Sequence, residues 1–244
     1  MAVSLAGYAA FIIWMVVLII LGFATDYLLA RIFGDRTHRI FVGIGVIVHE
    51  SSHWLACKLT GTQVMEVSLF EATGGHVTHE KRGPVVMALI GMAPIIGGSL
   101  FLMLLGYLFG FVGVQYSRPD IDLNDPVATS VSMLGAAAAT LWANLSAMSI
   151  VTLFFLLFLY LVWSMVACIA PSRPDMKNAA LGAVILVIIG ALVVYLRPLS
   201  WAGITGTPVL EFIASNLMIV VGVGIIMSLI PMIIAIPVAL MKSR

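Results

Sequence analysis

Residues 40–59 read IFVGIGVIVHESSHWLACKL, and this stretch decides the fold. The run is apolar and long enough for a membrane-spanning helix, but its second half carries an HESSH motif at residues 49–53. At about 100° per residue, His49 and His53 share one helix face, so both imidazoles can reach one ion. Glu50 has the short reach needed to take a proton from a water on that ion. The motif predicts a metal site with two histidine ligands and Glu50 as general base.

Composition indicates a membrane protein and disfavours a chance motif. The chain of 244 residues is 62% hydrophobic and 9% charged, with a mean hydropathy of +1.15. These values exclude a soluble domain and predict a polytopic helical membrane protein embedded in a lipid bilayer. A net charge of +1 gives no reason to expect nucleic acid as a partner. Because ionisable side chains are expensive inside a spanning helix, three of them within about one turn predict a functional site.

The apolar runs predict a single all-α membrane domain over residues 1–244, with a small β-hairpin between its second and third spans. A polar connector at residues 31–39 separates the first two spans, and Met92-Ala93-Pro94 breaks the third. The stretch 127–170 is too long for one span and divides near residues 144–149, which leaves open whether 127–145 also crosses the membrane. The six predicted spans are 8–30, 39–60, 84–113, 148–170, 178–196 and 209–240.

Residues 61–83 differ from the apolar runs and predict the hairpin. Polar and apolar side chains alternate with period two from Val64 to Phe70, Thr73-Gly74-Gly75 is typical of a turn, and residues 76–80 can return as a second strand. An open sheet edge cannot face lipid, so the hairpin must be buried in protein or line a watery cavity. An exposed edge in such a cavity can pair with an unfolded peptide by strand addition.

A protease-type metal site needs a third protein ligand besides the two histidines. Asp175 is preferred because it ends a proline-broken segment, residues 171–175, in which backbone turns can aim a carboxylate inward. Its alternative role is the N-cap of a helix that begins near Met176. Cys57 lies about 12 Å along the helix from His49, too far for a shared ion. The other candidates are Glu66, Glu71, His76, His79 and Glu211, of which the two histidines better fit substrate binding, gating or a solvated position.

Charge near the ends of the spans predicts an active site towards the cytoplasm. Six spans put both termini on one side, and Lys242 with Arg244 assign that side to the cytoplasm. The metal helix then brings His53 towards the cytoplasmic face, where Asp175 also lies. The basic residues of the 31–39 connector are the exception, because this topology places them outside.

Taken together, these features resemble the site-2 protease family of intramembrane zinc metalloproteases. The resemblance rests on the HESSH motif within a span, on the Gly74-Gly75-His76-Val77 element in a hairpin and on a later Asp175. It covers most of the chain, since the six-span plan is similar too. It implies one Zn²⁺ per chain and cleavage of a peptide bond in or near a transmembrane segment of a membrane-anchored protein.

For this reaction, Glu50 is expected to accept a proton from the attacking water and return it to the leaving amine. Asn144 or His76 is the expected substrate-binding residue that stabilises the oxyanion. Three alternatives use similar ligands: a metal transporter or sensor, an inactive scaffold that binds membrane helices, and a prenyl-protein protease with Glu66 or Glu211 as third ligand.

Overall fold

The computed structural model describes residues 5–71, 74–120, 125–169, 175–196, 220, 222–229 and 233. The described chain is mostly helical, with one antiparallel hairpin after the first helix, as the sequence predicts. Residues 222–229 are also helical. The elements in chain order are α1 (Leu5–Leu59), β1 (Val64–Glu71), β2 (Gly74–His79), α2 (Pro84–Phe111), α3 (Pro126–Ser146), α4 (Ile150–Cys168) and α5 (Met176–Leu196).

Three helical segments are long and apolar enough to cross a membrane, namely His38–Leu59, Pro84–Phe111 and Ile150–Cys168. Two shorter apolar helical segments also occur among the described residues, Ile19–Leu28 within α1 and Met176–Ile185 within α5. Length and composition therefore indicate a membrane protein. The six-span plan stays a prediction, and most of its last span, 209–240, lies outside the described residues.

Helix α1 corrects the prediction of a non-helical polar connector at residues 31–39, because the backbone is helical throughout Leu5–Leu59. The helix nevertheless changes direction there. His38 Nε2 donates to Asp26 Oδ1 over 2.8 Å, whereas twelve residues of straight helix would separate the two positions by about 18 Å. Two side chains cannot bridge that length, so α1 bends between Asp26 and His38. Gly34 falls in this interval, and glycine is less favourable than alanine in a helix interior by about 1 kcal/mol.

Two other predicted boundaries change in the structure. Helix α2 continues through the predicted break at Met92-Ala93-Pro94 and keeps Pro94 in its interior. Gly74 and Gly75, predicted in a turn, belong to strand β2, whereas Thr73 lies outside the described residues. The division predicted near residues 144–149 is confirmed, because α3 ends at Ser146 and α4 begins at Ile150.

The contacts group the chain into two compact units. The first comprises Met1–Leu18, Leu102–Leu159 and Ile185–Ile226. Within it, the side-chain oxygen of Asp125 caps α3 by accepting the N–H groups of Val127 and Ala128, as Asp commonly does at helix starts.

The second unit comprises Ile19–Phe101, Tyr160–Val184 and Met227–Arg244, and it contains the hairpin and all of the HESSH motif. Strands β1 and β2 pair so that Val67 lies opposite Val77 and Ser68 opposite His76.

Within the second unit, α1 and α4 approach closely where α1 has a glycine. A Cβ atom added at Gly45 would collide with the backbone carbonyl of Ser164. The Gly45 N–H donates to Ser164 Oγ over 2.9 Å, which joins the two helices at the same point. Nearby, the Tyr160 hydroxyl donates to the Ile40 carbonyl over 2.7 Å. Small residues allow such close packing between membrane helices, where the hydrophobic effect contributes little.

The Gly45→Ala variant is expected to lower the stability of the purified protein. The added methyl group must displace the α4 backbone, and overpacking of this kind costs about 1–3 kcal/mol. The matched control is Gly135→Ala in α3, because nothing lies within 4 Å of a Cβ at that position and alanine favours the helix by about 1 kcal/mol. Thermal unfolding in detergent measures both variants. Equal melting temperatures for the two would contradict the close α1–α4 packing.

Candidate metal centre

Three side chains converge within the second unit. His49 and His53 lie one turn apart on α1, and Asp175 immediately precedes α5. The carboxylate Oδ2 of Asp175 lies 3.3 Å from His53 Nε2 and 4.0 Å from His49 Nε2. One ligand atom from each residue falls within 4.8 Å of the others, so the group can hold a metal ion.

Backbone carbonyls fix the orientation of both imidazoles. His49 Nδ1 lies 2.7 Å from the Cys168 carbonyl oxygen, and His53 Nδ1 lies 2.9 Å from the Ile90 carbonyl oxygen. A carbonyl can only accept a hydrogen bond, so each Nδ1 carries the proton. In the neutral ring, each Nε2 then keeps its lone pair, which is the state that binds metal. Both lone pairs belong to the nitrogens nearest Asp175.

The environment of these groups fits a metal better than an ordinary polar cluster. His49 and His53 are 7% and 5% exposed, and His53 Nε2 is buried without a hydrogen-bond partner among the described residues. Buried polar atoms are nearly always hydrogen-bonded, so an unpaired ring nitrogen needs an explanation. Ligand atoms about 2.0–2.2 Å from a tetrahedral metal lie roughly 3.4 Å apart. The 3.3 and 4.0 Å separations are close to that value.

Asp175 combines its place at a helix start with its place in the cluster. The Ala179 N–H donates to the Asp175 carbonyl over 2.7 Å, which is the first hydrogen bond of α5. The carboxylate meanwhile lies against His53. The start of α5 thus sets the position of Asp175, the residue that the sequence favours as third ligand. The preceding proline-rich residues, 171–174, lie outside the described part of the chain.

Strand β2 of the hairpin contacts the acidic residue of the motif. A Cβ atom added at Gly75 would lie 2.5 Å from Glu50 Cγ and 2.9 Å from Val46 Cγ1. Only glycine lets the strand backbone approach α1 this closely. The Glu50 side chain is half-buried beneath the strand. The hairpin therefore limits the positions that the Glu50 carboxylate can take.

The other acidic and histidine candidates on the hairpin lie outside the metal group. His76 Nε2 lies 3.7 Å from Glu66 Oε2, and the two side chains are 40% and 67% exposed. His79 Nδ1 donates to the Glu80 carbonyl over 2.9 Å. Among the described residues, only His49, His53 and Asp175 form such a cluster. Glu211 lies outside those residues, and the side chain of Glu71 is not described.

Asn144 belongs to the first unit, where its buried amide fixes a loop. Asn144 Oδ1 accepts the Gln115 N–H over 2.9 Å. Its Nδ2 donates to the carbonyls of Gln115 and Thr140 over 2.7 and 2.8 Å. These hydrogen bonds satisfy the buried amide of Asn144, so its burial is explained without a role in substrate binding. Its role in substrate binding stays a prediction.

Sequence reasoning missed the groups that orient the ligands. The Cys168 and Ile90 acceptors are backbone atoms, so their residue types carry no sign of the role. Cys168 is the last residue of α4, and a helix end leaves its final carbonyls without helical donors. The sequence does indicate this helix end, because the apolar run stops just before Pro171.

Comparisons of the chain with protein families, with curated proteins and with solved structures give no match.

The Asp175→Ala variant is expected to lose metal although both histidines remain. Loss of a supporting partner typically weakens metal binding about 10–100-fold, and loss of a direct ligand is expected to exceed that. Elemental analysis of detergent-purified protein after dialysis measures the metal content. The matched control is Asp120→Ala, whose carboxylate takes no part in the group. If Asp175→Ala keeps an equimolar amount of metal, Asp175 is not the third ligand.

Proposed function

We propose that this chain is an intramembrane zinc metalloprotease that hydrolyses a peptide bond in or near a transmembrane segment of a membrane-anchored protein. The observation that carries the proposal is the convergence of two oriented imidazoles and one carboxylate next to Glu50. The histidines belong to a helical segment, His38–Leu59, that is long and apolar enough to span a membrane. Three protein ligands beside a glutamate are typical of hydrolytic zinc sites.

Zinc is the metal that this donor set favours. Catalytic zinc sites combine neutral imidazole with carboxylate and leave one position for water, whereas magnesium and calcium prefer oxygen ligands alone. His49, His53 and Asp175 would hold one ion per chain. When bound, zinc supplies a Lewis acid that polarises a carbonyl and makes a water acidic enough to lose a proton near neutral pH.

Glu50 handles the proton in the proposed reaction. It follows His49 directly, so its side chain leaves α1 about 100° from His49 and about 60° from His53, and it is not part of the three-residue cluster. A carboxylate oxygen of Glu50 takes the proton from the attacking water and later delivers it to the nitrogen of the cleaved peptide bond. Gly75 on strand β2 lies against Glu50 and restricts its rotamers. The hairpin thereby keeps the general base close to the reacting water.

The substrate must reach the site as an extended chain. Carbonyls in an intact transmembrane helix are hydrogen-bonded four residues along, so the helix has to unwind before hydrolysis. The hairpin supplies polar side chains beside Glu50, among them His76, which is 40% exposed and lies near Glu66. We assign His76 to the substrate side of the site. Its imidazole can donate to a substrate carbonyl.

Basic residues favour a cytoplasmic location for the active site. Lys58 lies in the last turn of α1, and Lys177 is the second residue of α5, two residues after Asp175. Arg82, which precedes α2, donates to the Gly61 carbonyl just after α1. These positive charges lie at the helix ends nearest the site. Cytoplasmic loops of membrane proteins are enriched in Lys and Arg.

The Glu50→Gln variant is expected to keep its metal and lose proteolysis. Glutamine preserves the shape of the side chain but cannot accept the proton, so turnover should fall by about 10²–10⁴-fold or more. Wild-type and variant chains are produced in the same host membranes. Mass spectrometry then compares membrane-protein fragments whose new termini lie in or near apolar segments. Fragments present only with the wild type are the expected result.

Glu80→Gln is the matched control, because Glu80 pairs with Arg82 at the end of the hairpin and lies outside the metal group. This variant should give the wild-type fragments. Identical fragment patterns for Glu50→Gln and the wild type would rule out the protease. If Glu50→Gln then still carries zinc into proteoliposomes and His49→Ala does not, the chain is a transporter that uses the same ligands.

The Gly75→Ala variant tests the contact between the hairpin and the general base. The added methyl group would meet Glu50 Cγ, so Glu50 must move although every ligand stays in place. Proteolysis is expected to fall about 10-fold or more, since misplacement by 1 Å can reduce a rate about 100-fold. Metal content should not change. Gly83→Ala is the control, because nothing lies within 4 Å of a Cβ there. Full activity in Gly75→Ala would exclude this restraint on Glu50.

A further inference from the structure

Pro94 stands four residues after Ile90 in the interior of α2. In an ordinary helix, the N–H of residue 94 would donate to the carbonyl of residue 90. Proline has no N–H, and its ring also clashes with that carbonyl and turns it away from the helix. Ile90 is only 1% exposed. A carbonyl that loses its donor in such a buried place must find another partner or carry a free-energy penalty.

The new partner of this carbonyl is the metal-site histidine. His53 Nδ1 donates to the Ile90 oxygen over 2.9 Å. The bond fixes the proton on Nδ1 and leaves Nε2, buried and without a hydrogen-bond partner among the described residues, 3.3 Å from Asp175 Oδ2. The carbonyl that proline frees is therefore the one that orients the ligand.

We infer that Pro94 is a positioning residue of the metal centre. By removing a competing N–H from α2, it reserves the Ile90 carbonyl for His53 and holds that ring in the tautomer whose Nε2 binds metal. The inference rests on metal binding by His53, as in the proposed function, but not on peptide hydrolysis. A failure of Glu50→Gln to abolish proteolysis would leave it intact.

The other imidazole obtains its acceptor in a different way. His49 uses the Cys168 carbonyl, which is free because α4 ends there. Ile90 lies in the second turn of a 28-residue helix, where no helix end supplies a free acceptor. An alanine at position 94 would return an N–H to the Ile90 oxygen. The His53 ring would then compete for the acceptor and gain freedom to rotate or to move its proton to Nε2.

The Pro94→Ala variant is expected to bind zinc about 10–100-fold more weakly, the usual effect of losing a partner that orients a ligand. Competition with a chromophoric zinc chelator measures the affinity in detergent. In metal-free protein labelled with ¹⁵N-histidine, the His53 nitrogen shifts should change from the Nδ1–H pattern towards the Nε2–H pattern. Thermal stability of the metal-free variant should equal or exceed that of the wild type, because α2 gains a hydrogen bond.

Two further variants separate positioning from a general effect on the helix. Pro84→Ala is the matched control: Pro84 is the first residue of α2, where an N–H has no helical acceptor. It should keep wild-type zinc affinity and the wild-type His53 shifts. Pro94→Gly also restores the N–H but lowers helix propensity by about 1 kcal/mol relative to alanine. It should reproduce the tautomer change seen with Pro94→Ala despite its lower stability.

Each remaining outcome overturns the inference. Wild-type zinc affinity with an unchanged Nδ1–H pattern in Pro94→Ala would show that the restored N–H does not compete with His53. Weaker binding with lower stability and no tautomer change would make Pro94 a structural residue only. Failure of both Pro94→Ala and Pro94→Gly to fold would lead to the same conclusion. An Nε2–H pattern for His53 in the metal-free wild type would remove the premise.

Discussion

The arrangement of the metal group depends on two hydrogen bonds from imidazole Nδ1 atoms to backbone carbonyls. Each histidine in an apolar helix bundle has two ring nitrogens to satisfy, and its own helix offers no acceptor to either. His49 takes the carbonyl at the end of α4, and His53 takes one from the interior of α2. Both Nε2 atoms then lie near the carboxylate Oδ2 of Asp175. The bonds that orient the rings also tie α1 to its two neighbours.

In the proposed protease, the hairpin adds the feature that would distinguish a hydrolytic site from a simple metal-binding site. A transporter needs ligands whose metal can leave, whereas hydrolysis needs a base held at a fixed distance from water. Glu50 follows a ligand directly in sequence, and Gly75 lies against its side chain. An irregular, hydrogen-bonded strand pair is tolerated at membrane depth only where it is buried in protein or lines water. In the proposed reaction, the same element would admit water and position Glu50, the residue that would use it.

The sequence predicts the parts of the site that depend on local geometry. Helical spacing brings His49 and His53 to one face, and period-two alternation indicates the hairpin after α1. Asp175 is harder to predict, because its approach to His53 depends on how α5 packs. The predicted polar connector is helical because a helical backbone can bend without unwinding. The hydrogen bond of His38 to Asp26 closes that bend, and a hydropathy pattern does not show it. The backbone carbonyls that accept from the two histidines cannot be predicted from residue type, since every residue has a backbone carbonyl.

Glycines near the candidate ligands allow the close helix packing that places the two acceptor carbonyls and the Asp175 carboxylate beside the histidines. Gly45 lies one turn before His49, and its contact with α4 is one turn from the Cys168 carbonyl that His49 uses. On α2, a Cβ at Gly91 would lie 2.7 Å from the Ala179 backbone nitrogen of α5. Gly91 adjoins the Ile90 acceptor, and Ala179 is one turn from Asp175. A Cβ atom at either glycine would clash with the backbone of the neighbouring helix. Moving the helices apart would lengthen the hydrogen bonds that orient the imidazoles, so the candidate metal centre depends on these missing side chains as well as on its three side chains.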